Sequence, residues 1–158
     1  MQIGIPRESL PGETRVAATP ETVKKYSSAK HQVIVEQGAG AAAHYPDEAY
    51  AAAGATLGSA QQALGAELVL KVRSPNTAEL AGMKSGSVLV GMLDPFNQEG
   101  LQTLASAGLT AFALEAAPRI TRAQSLDVLS SQANLSGYKA VLLAANQYGR
   151  LFPMMMTA

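Results

Sequence analysis

Along most of the chain, short apolar runs alternate with stretches of helical period. Residues 2–6, 32–37, 68–72, 87–92 and 109–114 are rich in Val, Ile and Leu. Their nearly continuous apolar character is what strands covered on both faces require. Between them, Thr19-Pro20-Glu21-Thr22 opens a helix with a Thr cap, Pro at the first position and an early Glu. Further helices are expected over 47–53, 59–65 and 76–83, and over 97–107, which stops at Gly108. From Ala123 to Tyr148 there is no Pro and a single Gly, Gly137, so this segment reads as one long helix. The alternation predicts an α/β domain: a three-layer arrangement with a parallel sheet between helices.

Length and charge narrow the function. A chain of 158 residues builds one domain with a real core. Twelve basic and twelve acidic residues cancel, leaving no cationic excess to displace phosphate counterions, which argues against nucleic-acid binding. With no Cys there is no disulfide framework and no thiolate metal site, as fits a reducing compartment. No apolar run reaches the roughly 18 residues that span a bilayer. The start, Met1-Gln2-Ile3-Gly4-Ile5-Pro6, has no signal-peptide pattern, so a cytoplasmic location is expected. The apolar ending Leu151-Phe152-Pro153-Met154-Met155-Met156 has no closing element and reads as the cut edge of a larger protein.

Candidate chemistry is sparse until the last third. Gly38-Ala39-Gly40 follows a strand, as a dinucleotide loop does, but the next helix starts at Pro46-Asp47, too late to aim its amides at a pyrophosphate. A tight glycine turn is the favoured reading. His31 and His44 have no second ligand at metal spacing, and His44 reads as an exposed loop residue. Lys71, inside an apolar strand, either snorkels to solvent or faces the crevice at the carboxyl end of the sheet; Arg15 is a second isolated cation. The densest cluster is Pro118-Arg119-Ile120-Thr121-Arg122-Ala123-Gln124-Ser125-Leu126-Asp127, followed by Ser130 and Ser131. The spacing puts Gln124, Asp127 and Ser131 on or near one helix face beyond the carboxyl rim of the sheet. A guanidinium, an amide, a carboxylate and hydroxyls suit a carboxamide or ribose; a polar helix start with an ordinary Asp–Arg pair explains them equally simply.

These segments resemble a known family, the NAD(H)-binding component of proton-translocating nicotinamide nucleotide transhydrogenase, and more distantly alanine dehydrogenase. Ile3-Gly4-Ile5-Pro6-Arg7-Glu8, Glu13-Thr14-Arg15-Val16-Ala17 and Val35-Glu36-Gln37-Gly38-Ala39-Gly40 are shared by both, whereas the segment from Pro118 through Asn134 is similar to the transhydrogenase form. The resemblance implies a flavodoxin-like or Rossmann-like N-terminal domain over 1–122. A connecting helix over 123–150 and a truncated lead, 151–158, into an absent dinucleotide-binding domain would follow. It implies hydride transfer between NAD(H) and NADP(H), coupled to proton translocation in a membrane component, with NADP(H) on a partner and no metal. Arg119, Gln124 and Asp127 would be catalytic by positioning; with Ile120, Thr121 and Ser130 they would hold the nicotinamide end of NAD(H). A homodimer, peripheral to the inner or plasma membrane through its partners, is expected. The alternatives are an alanine dehydrogenase-like enzyme and a non-catalytic dimerisation module. Arg15 and Lys71 match the substrate-binding pair of alanine dehydrogenases, yet Val90-Gly91-Met92-Leu93-Asp94 lacks their catalytic His.

Overall fold

A computed structural model describes residues 1–152. The chain divides into two units, Met1–Ala117 and a second from Pro118 onward. The first holds β1 (Gln2–Ile5), α1 (Pro20–Ser28), β2 (Gln32–Glu36), α2 (Asp47–Ala52), β3 (Thr56–Gly58) and α3 (Ala60–Leu64). It continues with β4 (Leu68–Arg73), α4 (Thr77–Ala81), β5 (Val88–Met92), α5 (Gln98–Ser106) and β6 (Thr110–Ala113). The six strands form one sheet in the order β3-β2-β1-β4-β5-β6, and every pairing is parallel. The expected α/β fold is therefore present, with one strand, β3, beyond the five read from the sequence.

Two cores lie on opposite faces of this sheet. Ile5, Val23, Val33, Val35 and Tyr50 form the first, with Leu70 packed against it. Leu64, Ala66, Val69, Leu89, Leu93 and Leu104 form the second. Because successive strand residues point to opposite faces, Val69 and its neighbour Leu70 fall in different cores. Tyr50 is fully buried, and its hydroxyl donates to the Ala18 carbonyl at 3.0 Å; burial pushes its pKa up to about 12. Tyr50→Phe leaves that carbonyl without its donor and is expected to cost about 1–2 kcal/mol in urea unfolding.

Local chemistry sets the helix starts. Thr19 caps α1 through the Thr22 amide with Pro20 behind it. Ser59 with Gln62 and Asn76 with Glu79 form reciprocal capping boxes on α3 and α4.

In the second unit, a 3-10 stretch over Thr121–Leu126 precedes α6 (Val128–Gln147). The single helix expected from Ala123 is thus shorter than its composition indicates. Asp127 leaves helical geometry and caps α6 by accepting the Ser130 amide at 2.9 Å, which ends any helix arriving from upstream. None of the residues of α6 is buried, and Leu135, Tyr138, Val141, Leu142 and Leu143 are exposed around it, the pattern of a helix that needs cover on more than one side. Among the described residues no helix is long and apolar enough to cross a membrane. The apolar ending falls, from Pro153 on, outside the described residues.

Candidate functional site

The sheet changes direction between β1 and β4, which are neighbours although β2 and β3 run the other way. At such a point the carboxyl ends of the strands open a crevice, and here it is filled with charge. Lys71 is almost fully buried, and its Nζ donates to Glu79 Oε1 at 2.8 Å and lies 3.5 Å from Glu8 Oε2. It does not snorkel. Each carboxylate is otherwise satisfied: Glu8 accepts the Val72 and Arg73 amides at 2.7 and 3.2 Å, and Glu79 accepts the Asn76 amide at 2.8 Å and the Ser9 hydroxyl at 3.0 Å. Glu8, Ser9, Arg73 and Asn76 also line a cavity of about 250 Å³ beside Leu10, Pro11 and Ser74.

Arg15 belongs to the same end of the sheet. Its Nε donates to Glu13 Oε1 at 2.7 Å, and Arg73 Nε donates to Glu13 Oε2 at 3.1 Å. The Arg15 guanidinium, with Arg73 beside it, holds the Glu13 carboxyl down at about 2 against the cost of burial. A depressed carboxyl stabilises the fold above its unfolded value and loses that contribution as pH falls through the folded one. Glu13→Gln is therefore expected to cost up to about 3 kcal/mol at neutral pH. That difference from the parent should shrink between pH 4.5 and 2 in acid titrations of stability.

The glycine turn resolves as a turn. Gly38 takes φ +75°, and its amide is held by both oxygens of the Asp47 carboxylate at 2.9 and 3.1 Å. A 3-10 turn over Ala41–Ala43 follows, then exposed His44 at φ +62°. An internal carboxylate thus sits where a phosphate oxygen would bind.

The second unit gathers the densest polar cluster. Arg119, Ile120, Thr121, Gln124, Asp127 and Ser130 line one cavity of about 320 Å³, together with Pro118 and Ala123. The expected shared helix face is not how they meet: Gln124 lies in the 3-10 stretch, Asp127 is the cap, and Ser130 belongs to the first turn of α6. Ser131, expected on that face, hydrogen-bonds back to the Val128 carbonyl at 3.1 Å and does not line the cavity. Asp127 accepts the Ser130 amide on Oδ1 and the Ser130 hydroxyl on Oδ2 at 2.6 Å. These two bonds, with Arg119 nearby, hold the Asp127 carboxyl below its ordinary range. The hydrogen of Ser130 is committed to Asp127, so its Oγ presents lone pairs. Arg119 supplies donors, and Gln124 supplies both donors and an acceptor.

Sequence reasoning overlooked Glu8, Glu13 and Glu79 as the partners of the buried and half-buried cations. The spacing Asn76-x-x-Glu79 was the one readable signal, since a capping box turns that carboxylate back toward the start of its helix.

A parallel sheet carrying a charged switch-point crevice, followed by a compact polar cavity, defines a ligand-handling α/β protein. The chain belongs to the family described as alanine dehydrogenase/PNT, N-terminal domain, which matches residues 4–136. It is 51% identical over 166 aligned residues to the first portion of NAD(P) transhydrogenase subunit alpha of Rhodospirillum rubrum, covering all of this chain and 43% of that protein. With NAD(P) transhydrogenase subunit alpha of Haemophilus influenzae it shares 43% identity, covering all of this chain and 31% of the relative. The crystal structure of transhydrogenase from Sinorhizobium meliloti superposes with a TM-score of 0.91 at 52% identity, covering 100% of this chain and 46% of that one. An L-alanine dehydrogenase structure superposes with a TM-score of 0.81 at 33% identity, covering 95% and 43%. The chain thus spans less than half the length of these relatives.

Proposed function

We propose that this chain is the part of an NAD(P) transhydrogenase α subunit that receives the nicotinamide end of NAD(H). The observation that carries this reading is the gathering of Arg119, Gln124, Asp127 and Ser130 around one cavity, in a chain half identical along its length to such a subunit. The donor set fits a carboxamide. Ser130 Oγ, its hydrogen given to Asp127, accepts from an amide N–H; Arg119 donates to a carbonyl; Gln124 can do either. A carboxylate in the same place would offer acceptors only and would face the charge of Asp127. NAD(H) supplies the hydride that passes to NADP(H) on a separate component, so these residues bind and orient without gaining or losing a proton. Proton movement belongs to a membrane component, to which this chain attaches peripherally on the cytoplasmic side, as a homodimer, with the rest of the coenzyme held by polypeptide beyond these residues.

The test uses the complete subunit assembled with its NADP(H)-binding partner. Arg119→Ala and Gln124→Ala are each expected to slow hydride transfer from NADH about 100-fold, the scale of a reactant displaced by about 1 Å. Transfer at the parent rate in both variants would remove the loop from the site.

Alanine oxidation is the second reading, favoured by 31% identity over 146 residues to alanine dehydrogenase 1 of Staphylococcus aureus. It lacks a proton acceptor: the position after β5 is Asp94, and Arg15 and Lys71 are engaged by Glu13, Glu8 and Glu79. No NADH is expected from alanine and NAD.

A further inference from the structure

Two locally unfavourable features meet at the carboxyl ends of β5 and β6. Asp94, just past β5, has φ +53°, a left-handed backbone that a side chain disfavours. Glu115, just past β6, reaches across and accepts the Asp94 amide on Oε1 at 2.7 Å. Its other oxygen, Oε2, is buried without a hydrogen-bond partner among the described residues. Features of this kind persist where the surroundings over-determine them, and they collect beside functional segments. The Asp94 turn is tied down on its far side as well: its carbonyl accepts the Asn97 amide at 3.0 Å, and the Asn97 side chain caps α5 at Gly100, also at 3.0 Å. Glu115 therefore locks the exit of β6 to the start of α5, and the exit of β6 is where the chain leads into the segment carrying Arg119 and Gln124.

We propose that Glu115 is a positioning residue for hydride transfer: its carboxylate, bonded to the Asp94 amide, fixes the point from which the 118–130 loop leaves the sheet. The proposal rests on the transhydrogenase reading above. Since most of the coenzyme is gripped elsewhere in that reading, a loosened loop root misplaces the reacting ring without releasing the ligand, so kcat falls and KM does not rise.

The experiment measures kcat and KM for NADH in the complete assembled enzyme, with Tm as the check on folding. Glu115→Ala and Glu115→Asp, which keeps the charge but withdraws the acceptor, are expected to lower kcat about tenfold, with KM within about twofold of the parent. Glu115→Gln keeps an oxygen of the same reach and should restore kcat. If the Ala variant does not fold, the Asp and Gln variants decide. Folded Ala or Asp variants with parental kcat, a Gln variant as slow as the Asp variant, or a raised KM at unchanged kcat would each overturn the proposal. Should Gln124→Ala be equally fast, the failure belongs to the transhydrogenase reading; should Gln124→Ala alone be slow, it belongs to Glu115.

Discussion

Lys71→Met is expected to lower the unfolding free energy by about 3–5 kcal/mol, the cost of breaking a buried ion pair from one side. Lys71 is almost fully buried between Glu79 and Glu8, and Met fills its volume without replacing its charge. The two carboxylates would then face each other's charge with no cation to offset it. The loss approaches the whole stability of an ordinary domain, so the variant should unfold well below the parent in urea at neutral pH, or fail to accumulate folded. Adding Glu79→Leu removes one stranded charge and should recover part of the loss. A drop below about 1 kcal/mol in the single variant would mean that water reaches the triad and screens it.

Gly4→Val is the second large effect. Gly4 sits in the middle of the sheet, opposite Ile34 of β2 and Val69 of β4. A Cβ at this position would collide with the backbone carbonyl of Ala63 at the end of α3 and would come within 2.9 Å of the Ala66 Cβ. Backbone cannot swing aside as a side chain does, so α3 would have to lift from the sheet, at a cost of about 3 kcal/mol or more. Gly137 is the opposite case. Nothing lies within 4 Å of a Cβ there, and Gly137→Ala in α6 should stabilise by about 0.5–1 kcal/mol. Thermal unfolding of the pair separates a steric glycine from an incidental one.

The sheet was readable in the sequence because parallel strands buried on both faces leave continuous apolar runs, as in Val33-Ile34-Val35 and Leu68-Val69-Leu70. β3 escaped because it has three residues, of which only Leu57 is a sizeable apolar group. The start of α6 escaped for another reason. Its apolar residues surround the axis, so no periodic stripe marks where it begins, and Asp127 reads as one more polar helical position until its cap bond to Ser130 is seen. Gln124, Asp127 and Ser130 were legible as a group, though a 3-10 turn and a cap bring them together in place of one helix face. Lys71 was recognisable as costly where it stands, whereas its partner Glu8 comes from a loop after another strand, information that exists only once β1 is known to lie beside β4.

Everything proposed for function requires the Arg119–Ser130 cavity to meet the redox ring of the coenzyme. The direct measurement is a titration of the isotopically labelled complete subunit, following backbone and side-chain amide resonances with NADH and then with ADP-ribose, which lacks the ring. The Gln124 side-chain amide and the Ser130 backbone amide should shift with NADH and stay in place with ADP-ribose. Equal shifts with both ligands, or none with either, would contradict the assignment.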